Sequence, residues 1–411
     1  MHLWVILYCG WTDLYHAMKD RPVLWQRIVL DHGTALSSIL LGSLLFVLAA
    51  IYIGPSFEPA FLGVYHAKLS NAPFDMDHPN WMRLRILAPL IGYILHLRGP
   101  LFFLVPWAFL LLFVIRVQHV GQRASGSWIH ATLVASSVAF SCTTFIPFMA
   151  PGYVDAVAYF CVLFCFIPGV SHPLAALFMA LAVASHESAL ALLPAAIHYR
   201  WMQKRDMRTP LVFLGWLLVF MLPYVCYRAW ASASDPSTLQ VSYYLTITNI
   251  RSQIRGILPT LWGIFLAFRL YWIIPLAALV LSIRKGDHAQ AVLILLIVAG
   301  SGSLLLVAYD TTRLMCMAYP AILLGSIQLI KSLPPMLTLR FGALLFALNF
   351  LITPAMVASE TVFMLRRTDR VVTSSQHRTN PVPDQDPAHR VRTSGQGSTA
   401  ETIFNLNWQK H

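Results

Sequence analysis

The stretch ALSSILLGSLLFVLAAIYI, residues 35–53, decides the class of fold. It contains no charged side chain, and a helix of this length spans about 28 Å, close to the roughly 30 Å hydrocarbon core of a bilayer. Because comparable apolar stretches recur along the chain, the sequence predicts an all-α polytopic transmembrane helix bundle of ten or eleven spans. The further apolar segments lie at about 86–97, 101–117, 130–149, 153–167, 173–197, 210–229, 257–283, 291–308, 314–330 and 341–358.

The composition excludes an ordinary soluble protein. Of the 411 residues, 57% are hydrophobic and 11% are charged, with a mean hydropathy of +0.64, whereas soluble domains carry about 25% charged residues. The net charge is +12, from 29 Lys and Arg against 17 Asp and Glu. No nucleic-acid-binding motif accompanies this basic excess. We therefore expect membrane lipid as a partner, no nucleic acid, and Lys and Arg concentrated in cytoplasmic loops.

The distribution of polar residues divides the chain into three parts. Residues 1–34 form a cytoplasmic or interfacial N-terminal segment, and residues 35–359 form the transmembrane helical domain. Residues 360–411 form a polar C-terminal tail, which from about Arg366 has almost no aliphatic side chains until Ile403. Such a segment buries too little apolar surface to offset its conformational entropy, so we expect the tail to be disordered.

Basic residues fix the expected orientation of the bundle. The short loop 199–209 carries four basic residues and one acid, which predicts a cytoplasmic position. Counting spans from this loop places residues 54–80 and 309–313 on the exoplasmic side, with the first exoplasmic loop partly ordered. The short apolar segment 86–97 is either a further span or a helix lying at the interface, and counting it as a span is what places the first loop outside. In the same count Arg116 and Arg123 also fall outside, against the usual excess of basic residues in cytoplasmic loops.

Charged side chains inside apolar segments are candidate functional residues. A carboxylate at the bilayer centre costs about 2.5 to 3.5 kcal/mol on insertion scales, so it needs a partner, a polar cavity or a function. His186 and Glu187 fall near the centre of the predicted span 173–197, between Ser185 and Ser188. They form either a structural hydrogen-bond node between helices or a functional group: a base, a cation ligand or a contact to a substrate hydroxyl.

Two further acids lie at the edges of apolar segments. Asp310 and Arg313 are three residues apart at a predicted helix start, where they form an ion pair with a helix cap, or where Arg313 binds an anion. Asp155 falls in the first turn of another predicted helix. The helix dipole explains an acid at that position as well as chemistry does.

Paired acids also occur in the first loop, in Asp75-Met76-Asp77. In an extended backbone, side chains two residues apart point the same way, so these carboxylates can converge on a cation or on an attacking hydroxyl. The nearby Arg83 and Arg85 can hold a phosphate. The alternative is an ordinary solvated loop, since this spacing is common by chance.

The first span, the Asp75-Met76-Asp77 loop and the layout of spans resemble the GT-C-type membrane glycosyltransferases, in particular a bacterial branch of them. These enzymes transfer sugars from polyprenyl-phosphate donors, and their first exoplasmic loop carries a paired-acid motif. Arg85 with Pro89, the His-Glu pair and the Asp-x-x-Arg element resemble recurrent features of that branch.

The resemblance implies a function and a set of site residues. Asp75 or Asp77 would be the catalytic base or a ligand of a divalent cation, and Arg313 or Arg83 would hold the phosphate of the polyprenyl-phosphate sugar donor. The remaining substrate-binding residues would be Arg85, Asp155, His186, Glu187 and Asp310. The implied location is the bacterial inner membrane.

A secondary transporter or flippase is the main alternative. In that hypothesis Glu187, His186 and Asp310 form a proton or ion relay across the bundle, and Asp75 and Asp77 are not needed. A membrane scaffold without catalytic activity is a third hypothesis, and it needs none of the intramembrane acids.

Overall fold

The computed structural model describes residues 22–75, 80–234, 257–306, 310–358 and 361–365. This part of the chain is almost entirely helical, with one two-stranded sheet close to its C-terminal end. Apolar residues dominate most of the helices, because 57% of the residues in the sequence are hydrophobic and 11% are charged.

The first half of the chain forms mainly short helices around three longer ones. These are α1 (Pro22–Ile53), α2 (Leu62–Leu69), α3 (Asn80–Arg83), α4 (Leu87–Ile94), α5 (Leu104–Ser125), α6 (Trp128–Ala139), α7 (Cys142–Met149), α8 (Asp155–Leu163), α9 (His172–Ser185), α10 (Leu193–Lys204) and α11 (Arg208–Ala233).

The described part of the second half of the chain ends in a β-hairpin. Its elements are α12 (Ile257–Phe268), α13 (Ile273–Arg284), α14 (His288–Ser303), α15 (Thr311–Met315), α16 (Tyr319–Ser332), α17 (Pro335–Leu351), β1 (Ala355–Ala358) and β2 (Thr361–Met364). Short 3₁₀ segments extend or join several helices, at Gly99–Phe103, Phe164–Phe166, Glu187–Leu192, Arg269–Trp272, Leu304–Leu306 and Cys316–Ala318.

Several helices are long and apolar enough to cross a membrane, which confirms a multi-pass helical membrane protein. Six segments meet this criterion within the described residues: Gly33–Ile53, Gly99–Ser125, Arg208–Ala233, Ile257–Arg284, His288–Leu306 and Thr311–Ser332. The pair α6 and α7, bent by 49° at the break between them, makes a seventh if it is one span. Other predicted spans correspond to shorter apolar helices.

The predicted span at 86–97 contains only the eight-residue α4. At about 1.5 Å per residue it is about 12 Å long, too short to cross a bilayer. The Gly99 amide donates a hydrogen bond to Ser70 Oγ (3.1 Å), which holds the start of the next helix beside the end of α2. The described residues 54–75 and 80–103 therefore stay at one end of the bundle.

Arg123 lies at the end of the bundle opposite the first loop. Because 86–97 does not cross, α5 runs from the end that holds the first loop to the opposite end, where Ser37 Oγ donates a hydrogen bond to Gln122 Oε1 (3.0 Å) and Arg123 follows Gln122. Of the two interpretations of 86–97, the structure therefore supports a helix at the interface and not a span.

The predicted span 173–197 is also not a single helix. A straight helix over these residues would be about 36 Å long. Instead, Arg200 near the end of α10 donates hydrogen bonds to Val170 O (2.8 Å) and Phe164 O (2.9 Å), both just before α9 begins. The chain therefore doubles back, and this reversal from α9 to α10 is the α9–α10 hairpin. Because 173–197 then makes two crossings instead of one, Arg123 lies at the same end as 199–209, which removes its conflict with the usual distribution of basic residues.

The turn of this hairpin falls at His186 and Glu187. His186 has an extended backbone (φ −155°, ψ 118°), which ends α9. Its ring accepts a hydrogen bond from the Ser188 amide (3.2 Å), a contact that stabilises the turn. Pro194 lies in the first turn of α10, where its missing N–H costs nothing. The polar pair thus lies at the tip of a hairpin and not in the middle of a helix.

The helices run between the two ends of the bundle, and these ends differ in amino-acid composition. Contacts such as Tyr224 Oη donating to Leu84 O (3.1 Å) and His198 Nε2 with Ala289 O (2.8 Å) assign each helix terminus to one end. The loop end comprises residues 54–75, 80–103, 150–155, 186–187 and 310–313. The basic end comprises residues 122–128, 164–171, 199–209, 284–290 and 331–340.

The last predicted span, 341–358, ends earlier than expected. α17 stops at Leu351, and β1 pairs with β2 in an antiparallel hairpin with Ala355 opposite Met364. The hairpin packs on α15, where Thr312 Oγ1 accepts a hydrogen bond from the Val357 amide (2.8 Å). The expected boundary at 359/360 between helical domain and tail thus falls within a hairpin, and residues 366–411 lie outside the described residues.

We expect cysteine labelling to place Arg123 with the basic loop 199–209. In a cysteine-free background, R123C and Q203C should react with an impermeant maleimide from the same side of the membrane, and N71C only from the other side. The three native side chains are exposed, so access does not limit labelling. If R123C and N71C share a side, α4 crosses the membrane after all.

A close backbone contact joins the first loop to the start of α8. The Ala60 amide donates a hydrogen bond to Pro151 O (3.0 Å). A Cβ atom built on Gly63 would lie 2.0 Å from the same carbonyl oxygen and 3.0 Å from Gly152 Cα. Glycine is required at position 63 because the neighbour is backbone and cannot rotate away.

Gly63→Ala should destabilise the protein by about 1 to 3 kcal/mol, the usual cost of forcing an extra carbon into a packed site. The matched control is Gly215→Ala in α11, where a Cβ meets nothing within 4 Å and alanine should be neutral or slightly stabilising. Thermal unfolding in detergent measures both. Equal melting temperatures for the two variants would contradict the contact.

Candidate functional site

Arg313 is the centre of a buried cluster of charges at the loop end. Its Nη2 lies 3.2 Å from Asp310 Oδ2, and its Nε lies 3.8 Å from Asp155 Oδ1. Arg313 and Asp155 are 5% and 4% exposed, so the ion pairs replace lost hydration. The Tyr153 ring covers the guanidinium at 5.0 Å. Among the described residues, Arg313 Nη1 has no hydrogen-bond acceptor.

Short helices bring these side chains together. Asp155 is the first residue of α8, as predicted, where the helix dipole favours an acid. Asp310 immediately precedes α15, and the predicted ion pair with Arg313 is confirmed. The predicted cap is wrong, because the Asp310 carboxylate makes no capping hydrogen bond. The Tyr159 hydroxyl donates to Arg313 O (3.4 Å), which joins α8 to α15.

His186 approaches Asp155 from the tip of the α9–α10 hairpin. The Ser188 amide can only donate, so His186 Nδ1 accepts its hydrogen bond, and the proton of the neutral ring is on Nε2. Nε2 lies 3.7 Å from Asp155 Oδ1, which is longer than a hydrogen bond. Ser185 Oγ donates to Val154 O (3.2 Å), which holds the hairpin against the start of α8.

Glu187, although adjacent to His186, has a different partner. Arg85 donates two hydrogen bonds to its carboxylate, from Nη2 to Oε1 (2.8 Å) and from Nε to Oε2 (3.2 Å). This two-point geometry makes a strong and directional ion pair. Burial lowers the pKa of Arg85, but the Glu187 charge and hydrogen bonds outweigh that effect and raise the pKa overall. The Glu187 side chain is still 39% exposed, so the pair forms an accessible edge of the cluster.

His66 was not identified from the sequence. It lies in α2, is 1% exposed, and interacts electrostatically with Arg85, Asp155, His186 and Arg313. Burial lowers its pKa to about 3, and the charge of Arg85 contributes in the same direction. The imidazole is therefore neutral at physiological pH. A single histidine in a polar loop gives no sequence pattern that would single it out.

The structure locates the other predicted residues of the first loop only in part. Asp75 is half-buried in a turn, with its amide donating to Ala72 O (3.0 Å). Asp77 lies outside the described residues. Arg83 is buried at the end of α3, and its carbonyl accepts a hydrogen bond from the Tyr227 hydroxyl (3.0 Å).

Within the described ranges, no group of three or more His, Cys, Asp or Glu side chains is arranged to hold a metal ion. The carboxylates of the cluster face arginines instead. Comparisons with protein-family models, with curated proteins and with solved structures found no match to this chain. The chemistry of the cluster is therefore the basis for a functional assignment.

Acid should destabilise the native protein partly through His66. As pH falls from 7 to 4, the unfolded imidazole takes up a proton near 6.5, whereas the folded one stays neutral until about 3. The free energy of unfolding therefore decreases by about 3 kcal/mol for this group as the pH drops from 7 to 4. His66→Gln should show a correspondingly smaller drop in melting temperature between pH 7 and pH 4. Identical drops in both proteins would contradict a neutral buried His66.

Proposed function

We propose that this protein is an integral membrane glycosyltransferase that uses a polyprenyl-phosphate sugar donor at the exoplasmic face. The observation that carries the proposal is the buried Arg313, two of whose nitrogens, Nε and Nη1, have no hydrogen-bond acceptor among the described residues. Asp310 pairs with Nη2 at 3.2 Å and Asp155 lies 3.8 Å from Nε, and these two charges hold the guanidinium in place. Nη1 is then oriented for an incoming phosphate oxygen.

Glycosyl transfer requires a base and a cation. The acceptor hydroxyl gives its proton to a carboxylate, and its oxygen bonds to the anomeric carbon. The bond from that carbon to the phosphate oxygen breaks, and the polyprenyl phosphate leaves with the electron pair. In this proposal Asp75 or Asp77 is the base, as the resemblance to GT-C enzymes implies, and Arg313 stabilises the leaving phosphate. The ion pair of Arg85 with Glu187 borders the entry side.

A lipid-linked donor also needs an apolar surface beside the charged site. At the loop end, Ile94, Leu95 and Leu101 are each more than half exposed. They lie on α4 and on the 3₁₀ segment that follows it, and they are continuous with the membrane-facing surface of α5. A prenyl chain lying along them would keep its phosphate at the depth of the cluster.

The proposal includes a topology. Within the described residues, eleven helical segments run alternately between the two ends. In chain order they are α1, α5, α6 with α7, α8, α9, α10, α11, α12 with α13, α14, α15 with α16, and α17. With the basic end in the cytoplasm, the loop end and its cluster face the exoplasm. The bacterial inner membrane is the proposed location.

The contact of His186 with Asp155 favours the second candidate, a transporter with a proton relay. A relay needs a polar path to the other end of the bundle. Next to the cluster, however, the rings of Phe113, Tyr159 and Tyr319 pack with centroids 4.8 to 6.2 Å apart. All three are at most 1% exposed. This aromatic layer favours an enzyme site that opens to one end over a polar path through the described bundle.

Purified protein in nanodiscs with polyprenyl-phosphate hexose and pentose donors tests the proposal. Arg313→Gln should lower the transfer rate about 10²- to 10³-fold, the usual loss for one group that stabilises transition-state charge. Asp77→Asn should lower it about 10²- to 10⁴-fold through loss of the base. Arg284→Gln, at an exposed position of the basic end, should leave it unchanged.

Melting temperatures and gel filtration establish that the variants are folded. Arg313→Lys keeps the positive charge that Arg313→Gln removes. Absence of transfer by the wild-type protein with every donor, or transfer that tolerates both Arg313→Gln and Asp77→Asn, would refute the enzyme. Gradient-driven uptake into liposomes that fails with Asp155→Asn and tolerates Asp77→Asn would establish the transporter.

A further inference from the structure

His66 is a buried polar side chain without a hydrogen-bond partner among the described residues. Its ring makes no hydrogen bond to any described residue, and Nδ1 is inaccessible to solvent. Leaving a buried nitrogen unpaired destabilises a protein, so such groups call for an explanation. A ligand absent from the structure explains it directly.

The packing of α2 places His66 toward the charged cluster. His66 follows Gly63 by three residues, and such residues lie on the same face of a helix. Gly63 packs against Pro151 and Gly152, immediately before the segment that carries Asp155. The same face of α2 therefore directs His66 toward the cluster.

The chemistry of His66 differs from that of its neighbours. Arg85 and Asp155 already have charged partners, whereas the imidazole is neutral and unpaired. A neutral imidazole has one N–H donor and one acceptor nitrogen. It matches a hydroxyl group, which also donates and accepts, better than it matches a phosphate or a cation.

We propose that His66 is a substrate-binding residue whose imidazole hydrogen-bonds a hydroxyl of the donor sugar. This inference rests on the proposed function and adds a residue to its site. Arg313 would hold the donor phosphate, and His66, in the same cluster, would recognise the sugar attached to it. The residue thus contributes to selection of a sugar-carrying lipid over the bare lipid phosphate.

Binding of two ligands separates this role from a structural one. The probes are farnesyl phosphate carrying one hexose or pentose, and farnesyl phosphate without a sugar. His66→Leu should weaken binding of the sugar-carrying lipid about fivefold, the value of one neutral hydrogen bond, and leave farnesyl phosphate unchanged. His66→Gln, which keeps a hydrogen-bonding group, should restore part of the loss. His288→Leu, at an exposed position of the basic end, is the control.

Equal weakening of both ligands by His66→Leu, or of neither, would overturn the role of His66 while leaving the proposed function intact. If wild-type protein binds neither lipid, the proposed function fails and this inference with it. Should His66→Leu not fold, ¹⁵N spectra of histidine-labelled wild-type protein replace it, with the His66 signal assigned by its loss in His66→Gln. That signal should shift with the sugar-carrying lipid and not with farnesyl phosphate, and an unchanged signal would overturn the proposal.

Discussion

The ion pairs of Arg313 with Asp155 and Asp310 are the constraint on which the loop end depends. A charge this deeply buried in an apolar bundle is tolerated only when opposite charges replace its hydration. Meeting that requirement joins the start of α8 to the start of α15, although 158 positions separate Asp155 from Arg313. The hairpin tip with His186 and the first loop with Arg85 then assemble around this pair.

Other buried arginines show how a purely structural role differs. Arg200 donates to the carbonyls of Phe164, Cys165 and Val170, and Arg269 donates to those of Phe140, Asn349 and Ile352. Both satisfy carbonyl groups at helix ends and turns, which otherwise remain unpaired. Arg85 and Arg313 instead face carboxylates at the loop end. Their partners can exchange with a charged ligand, whereas the backbone carbonyls cannot be replaced without loss of the fold.

The cluster combines fixed and adaptable groups. Arg313 is held by two carboxylates and an aromatic ring, while Glu187 remains partly accessible and His66 has no hydrogen-bond partner within the described structure. Among the described residues, Nε of Arg200 and of Arg269 also lacks a hydrogen-bond partner, but in this cluster the unpaired nitrogens lie beside a partly accessible ion pair, as in a binding site. The aromatic layer of Phe113, Tyr159 and Tyr319 lies beside the cluster in the described interior. This arrangement suits chemistry carried out from a single membrane face.

The sequence alone determined the membrane class, because stretches such as residues 35–53 are apolar for a full bilayer thickness. It also identified Asp155, Glu187, Asp310 and Arg313 as residues that need partners, since an isolated intramembrane charge is costly wherever it lies. The pairing of Asp310 with Arg313, three residues apart, followed from the sequence as well, but only the tertiary structure decided which residues are the other partners. Hydropathy measures how apolar a segment is and carries no information on direction, so it could not show that the chain reverses at His186 or that α4 stays at one end. The partners of Asp155 and Glu187, and the burial of His66, arise from contacts between segments far apart in the chain, and local sequence does not specify such contacts.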